Sequence, residues 1–176
     1  MKSKFIITFA GVPGSSKSPI INHLSSTFNL PVFSNDQLRH EVNEDLMVSD
    51  INIPKALREF EFRRKKMQDE ILSFDRSVIF DKSVDRRWSE LKESLFKYGY
   101  DCFLISLDFS VEFMTKLYTS TGRLWAVEEL PAYNKQHQEF LAKYSGDVSL
   151  RLQDKDFINR VKICEEALKQ FMSAVS

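Results

Sequence analysis

The chain has 176 residues and no net formal charge, with 43% hydrophobic and 28% charged residues. That length and balance suit one domain, spanning residues 1–176, and exclude a disordered or fibrous chain. Zero net charge removes any bulk electrostatic case for a long polyanion, and no apolar run approaches the roughly 18 residues a spanning helix needs, so no membrane partner is expected.

The N-terminal residues, Met1-Lys2-Ser3-Lys4 before Phe5-Ile6-Ile7-Thr8-Phe9-Ala10, set basic groups ahead of an apolar run, as a signal peptide does. The run is short and leads straight into a glycine-containing loop, so a strand over residues 5–10 is the better reading. The loop reads Gly11-Val12-Pro13-Gly14-Ser15-Ser16-Lys17-Ser18. It matches the phosphate-binding pattern G-x-x-x-x-G-K-[ST] at Gly11, Lys17 and Ser18, with Ser16 in the place of the second glycine. Between a strand and a helix, such a loop aims backbone N–H groups and the positive end of the helix dipole at an anion. Lys17 would bridge the β- and γ-phosphates, and the Ser18 hydroxyl would face Mg²⁺. Ser16 adds a Cβ where close approach or positive φ is required. Pro19 lacks an N–H, which the first turn of a helix tolerates. A strand-helix turn without a ligand is the plain alternative.

A helix over 18–28 and a strand over 31–34 come next. Past that strand, Ser34, Asn35 and Asp36 are all good helix caps. Asp36 is also placed to take a proton from an acceptor hydroxyl across the crevice. Arg39 would lie one turn further along the same face and could hold an acceptor phosphate. A helix over 54–74 carries Arg63-Arg64-Lys65-Lys66, read as a solvated face, as is Arg86-Arg87. The strand over 77–81 ends on Asp81, which could contact acceptor or a Mg²⁺-bound water, or could pair with Lys82. A helix over 87–98 and a strand over 101–107 follow, and Asp108 reads as a strand-exit cap. After a helix over 111–118, Thr119-Ser120-Thr121-Gly122-Arg123 is small, polar and glycine-containing. It suits a mobile lid over about residues 115–135, with Arg123 reaching transition-state charge, or an ordinary helix-helix loop. A helix over 128–144, a strand over 148–152 and a helix over 157–174 complete the chain.

His23, His40 and His137 are dispersed without ligand spacing, His40 reading as a surface residue. Cys102 and Cys164 match no zinc or redox spacing, as expected of buried thiols in a reducing, cytoplasmic compartment. Phe60, Phe62, Phe74, Phe80, Phe96 and Phe103 suit core packing. Trp125 could stack on a base or aromatic acceptor. The strand-helix alternation predicts an α/β three-layer sandwich around a five-stranded, mainly parallel sheet. Ligands of such sheets bind at the carboxyl ends of the strands, where the loop, Asp36, Asp81 and Asp108 all fall.

The segment from Gly11 to Arg39, with its GVPGSSKS loop and its FSNDQLR run, resembles P-loop kinases that include polynucleotide 5′-hydroxyl kinases, zeta toxins and chloramphenicol phosphotransferases. Val78-Ile79-Phe80-Asp81 with Arg86-Arg87, and Gly122-Arg123 with Val127-Glu128-Glu129-Leu130, are similar to that family's third strand and lid. The resemblance implies a nucleotide-kinase-like P-loop fold with a short helical lid. It implies ATP or another NTP with Mg²⁺, the triphosphate held by Gly11, Gly14, Ser15, Ser16, Lys17 and Ser18. It implies Lys17, Asp36 and Arg123 as catalytic residues, Arg39 and Asp81 at the acceptor, and Ser18 on the metal with Asp81 through water. The expected function is transfer of a γ-phosphoryl group to a hydroxyl, on a small molecule or a short nucleic acid. A non-catalytic nucleotide-binding protein, an NTPase without an acceptor and a zeta-toxin-like kinase of a sugar nucleotide remain open, and nothing in the sequence points to a protein partner.

Overall fold

The computed structural model describes residues 4–49 and 53–175; the lead residues Met1, Lys2 and Ser3 lie outside it. Five strands form one sheet in the order β2-β3-β1-β4-β5: β1 (Phe5–Ala10), β2 (Val32–Ser34), β3 (Val78–Ser83), β4 (Asp101–Leu107) and β5 (Leu150–Leu152). Every pairing is parallel, so the sheet is wholly rather than mainly so. A parallel sheet needs both faces covered, and β1 shows how this sequence does it. Phe5, Ile7 and Phe9 enter one layer, Ile6 and Ala10 the other, and all are buried.

The helices are α1 (Ser18–Phe28), α2 (Asn35–Leu46), α3 (Pro54–Ser73), α4 (Trp88–Tyr98), α5 (Val111–Ser120), α6 (Leu124–Tyr144) and α7 (Arg160–Ala174). Of α2 the sequence gives only the possible start. Its apolar stripe on the core is narrow, Leu38 and Val42 one turn apart against Ala56 and Phe60 of α3, in an otherwise polar dodecapeptide. The helix over 128–144 begins four residues earlier than predicted and contains Pro131. The last helix starts three residues later, behind a short 3₁₀ turn at Asp154–Asp156.

Two expectations about single residues are corrected. Phe60, Phe80 and Phe103 are core residues, but Phe62, Phe74 and Phe96 are exposed. The basic run on α3 is not uniformly solvated. The buried residues of α3 are Ala56, Phe60, Arg64, Gln68 and Leu72, a strict four-residue spacing that carries Arg64 and Gln68 inward.

The topology sets where a site can form. The chain leaves β1 toward β2, returns to β3, and then crosses to β4 on the far side of β1. The carboxyl ends of β1, β3 and β4 therefore lie side by side at the reversal of strand order. Helix α6 gives Ala126 and Leu130 to one core layer and Phe140 to the other, so it passes across the sheet margin between them. No helix among the described residues is long and apolar enough to cross a membrane.

Candidate active site

The chain leaves β1 through Gly11 at φ 135° and turns again at Gly14 (φ 74°) and Ser16 (φ 66°). Two of these positions need glycine. A Cβ on Gly11 would lie 3.0 Å from Leu107 Cβ, and one on Gly14 would lie 2.7 Å from Arg123 Nη1 and 3.0 Å from Tyr118 Cε1. Ser16 occupies the left-handed region without being glycine, at a cost of about 1–2 kcal/mol. Its hydroxyl accepts from Arg160 Nη2 at 2.9 Å, an anchor from α7. Elsewhere the loop is fixed by Gly11 N–H, which donates to both Asp85 oxygens at 3.2 and 3.0 Å, and by the Tyr118 hydroxyl, which donates to the Pro13 carbonyl. Burial raises the Tyr118 phenol to about 12, so it stays a donor.

The start of α1 has no side-chain cap, and Pro19 sits in its first turn. An uncapped N-terminus behind a glycine turn fits a phosphate group, since its N–H donors and dipole favour an anion. Ser15 is fully buried, and its hydroxyl has no hydrogen-bond partner among the described residues. Ser18 is exposed at the first position of the helix. Among the described residues no group of three or more His, Cys, Asp or Glu could hold a metal alone.

Lys17 lies where four charged groups from other parts of the chain act on it. Burial lowers its pKa, Arg123 adds to the lowering, and Asp81, Asp85 and Asp36 oppose it. Asp81 is pushed up by burial and by Asp36, against the pull of Lys17. At the start of α2 the Ser34 hydroxyl is the cap, accepting from Asp36 N–H at 3.3 Å. The Asp36 carboxylate is thus left exposed on a cavity of about 620 Å³, which Gly11, Gly14, Lys17, Arg39 and Asp81 also line. Arg39 itself lies over the Phe60 ring, 5.3 Å from its centroid.

Three sequence readings change here. Lys82 does not pair with Asp81: its ammonium turns to the Gln68 amide oxygen at 2.7 Å. Asp108 is more than a strand-exit cap. It accepts from the Ser106 hydroxyl, and its Oδ1 lies 3.0 Å from His137 Nε2. His137, dispersed in sequence, is buried, with Nδ1 2.6 Å from Asp85 Oδ1. Both ring nitrogens face acceptor-only oxygens, so both carry protons. Burial pulls the imidazole pKa down, but the bonds to Asp108 and Asp85 outweigh it and raise it to about 9. Burial likewise raises Asp85, and His137, Ser83 and Gly11 N–H outweigh it and hold the carboxyl below its usual range. Asp85 was missed because no pattern marks it. A buried histidine on the margin-crossing helix is visible only once β3, β4 and α6 are assembled. Two residues singled out earlier are exposed: His40 lies beside Glu44 at 3.3 Å, and Trp125 is 65% exposed just past the Gly122 turn.

No protein-family profile matches the chain, and no curated protein matches it in sequence. Solved structures do match over nearly the whole length. A gluconokinase from Sinorhizobium meliloti is 14% identical, with 99% of this chain and 97% of that chain covered and a TM-score of 0.67. Shikimate kinase from Acinetobacter baumannii, in complex with shikimate, is 14% identical over 98% and 96% of the two chains, with a TM-score of 0.60. The PezAT chromosomal toxin-antitoxin system of Streptococcus pneumoniae gives 15% identity over 88% and 70%, with a TM-score of 0.61. What this chain shares with them is the fold, a five-stranded parallel sheet with helices on both sides, as in nucleotide-kinase-like P-loop proteins.

Proposed function

We propose that this protein is an ATP-dependent phosphotransferase that moves the γ-phosphoryl group to a hydroxyl acceptor. The observation that carries the reading is that Lys17 of the loop, Asp36 of α2 and Asp81 of β3 line one cavity, with the Arg123 guanidinium against Gly14 of the same phosphate-type loop. The kinase names of the matched structures support it. The loop from Gly11 to Ser18 would hold the triphosphate of ATP or another NTP, with Gly14, Ser15 and Ser16 as its backbone cradle and Lys17 on the β- and γ-oxygens. Mg²⁺, held by Ser18 and through water by Asp81, would supply neutralising charge on those oxygens.

Asp36 accepts the proton of the acceptor hydroxyl as its oxygen bonds to the γ-phosphorus, and the bond to the departing nucleoside diphosphate breaks. Arg123 faces the charge that gathers on the transferring group, and Arg39 and Asp81 position the acceptor. Residues 115–135 act as a lid whose closure excludes water, so that the phosphoryl group reaches the acceptor rather than water. The acceptor is a small molecule or the end of a short nucleic acid. A second reading, nucleotide binding without turnover, draws on Ser16, which holds a left-handed turn where glycine is the unstrained choice.

Transfer of labelled γ-phosphate to a panel of hydroxyl compounds tests the proposal. Wild type should turn over at least one acceptor, and Asp36→Asn should lose about 10²–10⁴-fold in kcat, the range for removing a general base. Transfer unchanged in Asp36→Asn removes that assignment. Tight Mg-ATP binding with neither transfer nor hydrolysis favours the non-catalytic reading.

A further inference from the structure

One wall of the cavity is built by α3, the end of β3 and the start of α4, and it is dense in charge. Arg64, 4% exposed, donates from Nε to Glu61 at 3.1 Å and from Nη2 to Glu90 at 3.1 Å. Arg87 forms a two-pronged pair with Glu61, Nη2 to Oε1 at 2.5 Å. The two guanidinium groups thus share two carboxylates. Lys82, on the same wall, has no carboxylate of its own. Its ammonium donates to the Gln68 amide oxygen at 2.7 Å and lies 4.7 Å from the centroid of the Phe80 ring. The Gln68 amide is itself oriented, because its Nε2 donates to Ser94 Oγ at 3.2 Å. The cavity as a whole is lined by six cations, Lys17, Arg39, Arg64, Lys82, Arg86 and Arg87, against five carboxylates, Asp36, Glu61, Asp81, Asp85 and Glu90.

That arrangement is costly unless something answers it. A cation taken out of water costs several kcal/mol without a partner charge. Lys82 meets only a neutral amide oxygen there, so an anion arriving from the cavity that Lys82 lines would supply the missing partner charge. The wall also borders the transfer site, since Asp81, which interacts with Lys17 and Asp36, is the residue before Lys82 on β3. A group bound here and a hydroxyl held at Asp36 would belong to one small molecule.

We propose that Lys82, with Arg64 and Arg87 behind it, forms an anion-binding subsite for a carboxylate or phosphate carried by the acceptor, making the acceptor a small anionic hydroxyl compound. That the anion belongs to the acceptor rests on the kinase reading above; the anion subsite itself does not. Arg64, Glu61, Arg87, Glu90 and Gln68 position the ammonium, and Lys82 is the specificity-determining group.

The test has two arms that fail separately. In the first, labelled transfer is compared between matched compounds, D-gluconate against D-glucitol for a carboxylate and glycerol 3-phosphate against glycerol for a phosphate. The anionic member of at least one pair should have a kcat/KM at least about tenfold higher, a ratio worth about 1.4 kcal/mol. Lys82→Met should abolish the preference and Lys82→Arg should keep it, with melting temperature reporting that both variants fold. In the second arm, lysine-labelled Lys17→Ala protein, in which the phosphate loop is disabled, is titrated by NMR with inorganic phosphate and with acetate. The Lys82 resonance, assigned by its absence in Lys82→Arg, should move saturably with the concentration of one of these ions, as binding at the ammonium requires. Equal turnover of charged and neutral partners, or a Lys82 resonance that neither ion moves, overturns the subsite. A Lys82 resonance that moves in a protein that transfers to nothing upholds the subsite and sinks the kinase reading instead.

Discussion

His137 Nδ1 lies 2.6 Å from Asp85 Oδ1, and Asp85 in turn accepts the N–H of Gly11, the first residue of the phosphate-type loop. With Asp108 on the other ring nitrogen, one imidazolium ties α6 to the ends of β3 and β4. The loop is therefore positioned partly by a residue 126 positions after Gly11 in sequence, through a single carboxylate.

The first prediction concerns pH. The folded pKa of His137 is raised to about 9, above the unfolded value near 6.5. Its contribution to stability is therefore fully present below pH 6.5 and is lost as pH rises through 9. The size is on the order of 3 kcal/mol, the shift converted at 1.36 kcal/mol per unit. Lys82 works in the opposite sense: its folded pKa is lowered, so its cost to stability grows as pH falls toward 7. The useful quantity is thus the difference between wild type and His137→Asn in urea unfolding. It should be large at pH 6 and shrink markedly by about pH 10. A pH-independent difference would mean that His137 acts by packing alone.

Ser16→Gly tests the one departure inside the loop pattern. Three effects compete. Removing the left-handed strain gains about 1–2 kcal/mol. Losing the bond from Arg160 costs about 0.5–1.5 kcal/mol, and the freer unfolded chain costs about 0.4–1 kcal/mol more. These nearly cancel, so the melting temperature should move by only a few degrees. Nucleotide affinity should respond more, because the Cβ and the tether to α7 both leave the phosphate-facing backbone. Calorimetry should show Mg-ATP binding about tenfold tighter, equivalent to about 1.4 kcal/mol. Unchanged or weaker binding would indicate that the serine hydroxyl itself serves the ligand.

Local sequence was enough for β1, for the glycine turn after it and for the place of Asp36 just past β2, because each follows from a short pattern: an apolar run, a pair of glycines, a polar cap past a strand end. The helix α2 was harder to read, since its core contact is two residues, Leu38 and Val42, and the rest of its face is polar. Arg64 and Gln68 were legible in principle. They continue the four-residue spacing of Ala56, Phe60 and Leu72, but a run of four basic residues reads first as solvent-facing. Asp85 and His137 could not be paired from sequence at all. Their meeting depends on α6 passing across the sheet margin, which is a property of the assembled layers rather than of any segment.

The last prediction separates strain from crowding at Gly14. Gly14→Ala introduces a Cβ at φ 74°, 2.7 Å from Arg123 Nη1 and 3.0 Å from Tyr118 Cε1. The arginine tip can swing away, whereas the buried tyrosine ring, 1% exposed and bonded to the Pro13 carbonyl, has little room to move. The left-handed turn adds about 1–2 kcal/mol whatever the neighbours do. Gly14→Ala should therefore weaken Mg-ATP binding by more than about tenfold, the equivalent of 1.4 kcal/mol. In a double-mutant cycle, Arg123→Ala should recover only a minor part of that loss, because the strain and the tyrosine contact remain. Full recovery in the double variant would assign the loss to the Arg123 contact and would mean that the loop accepts a side chain at this turn.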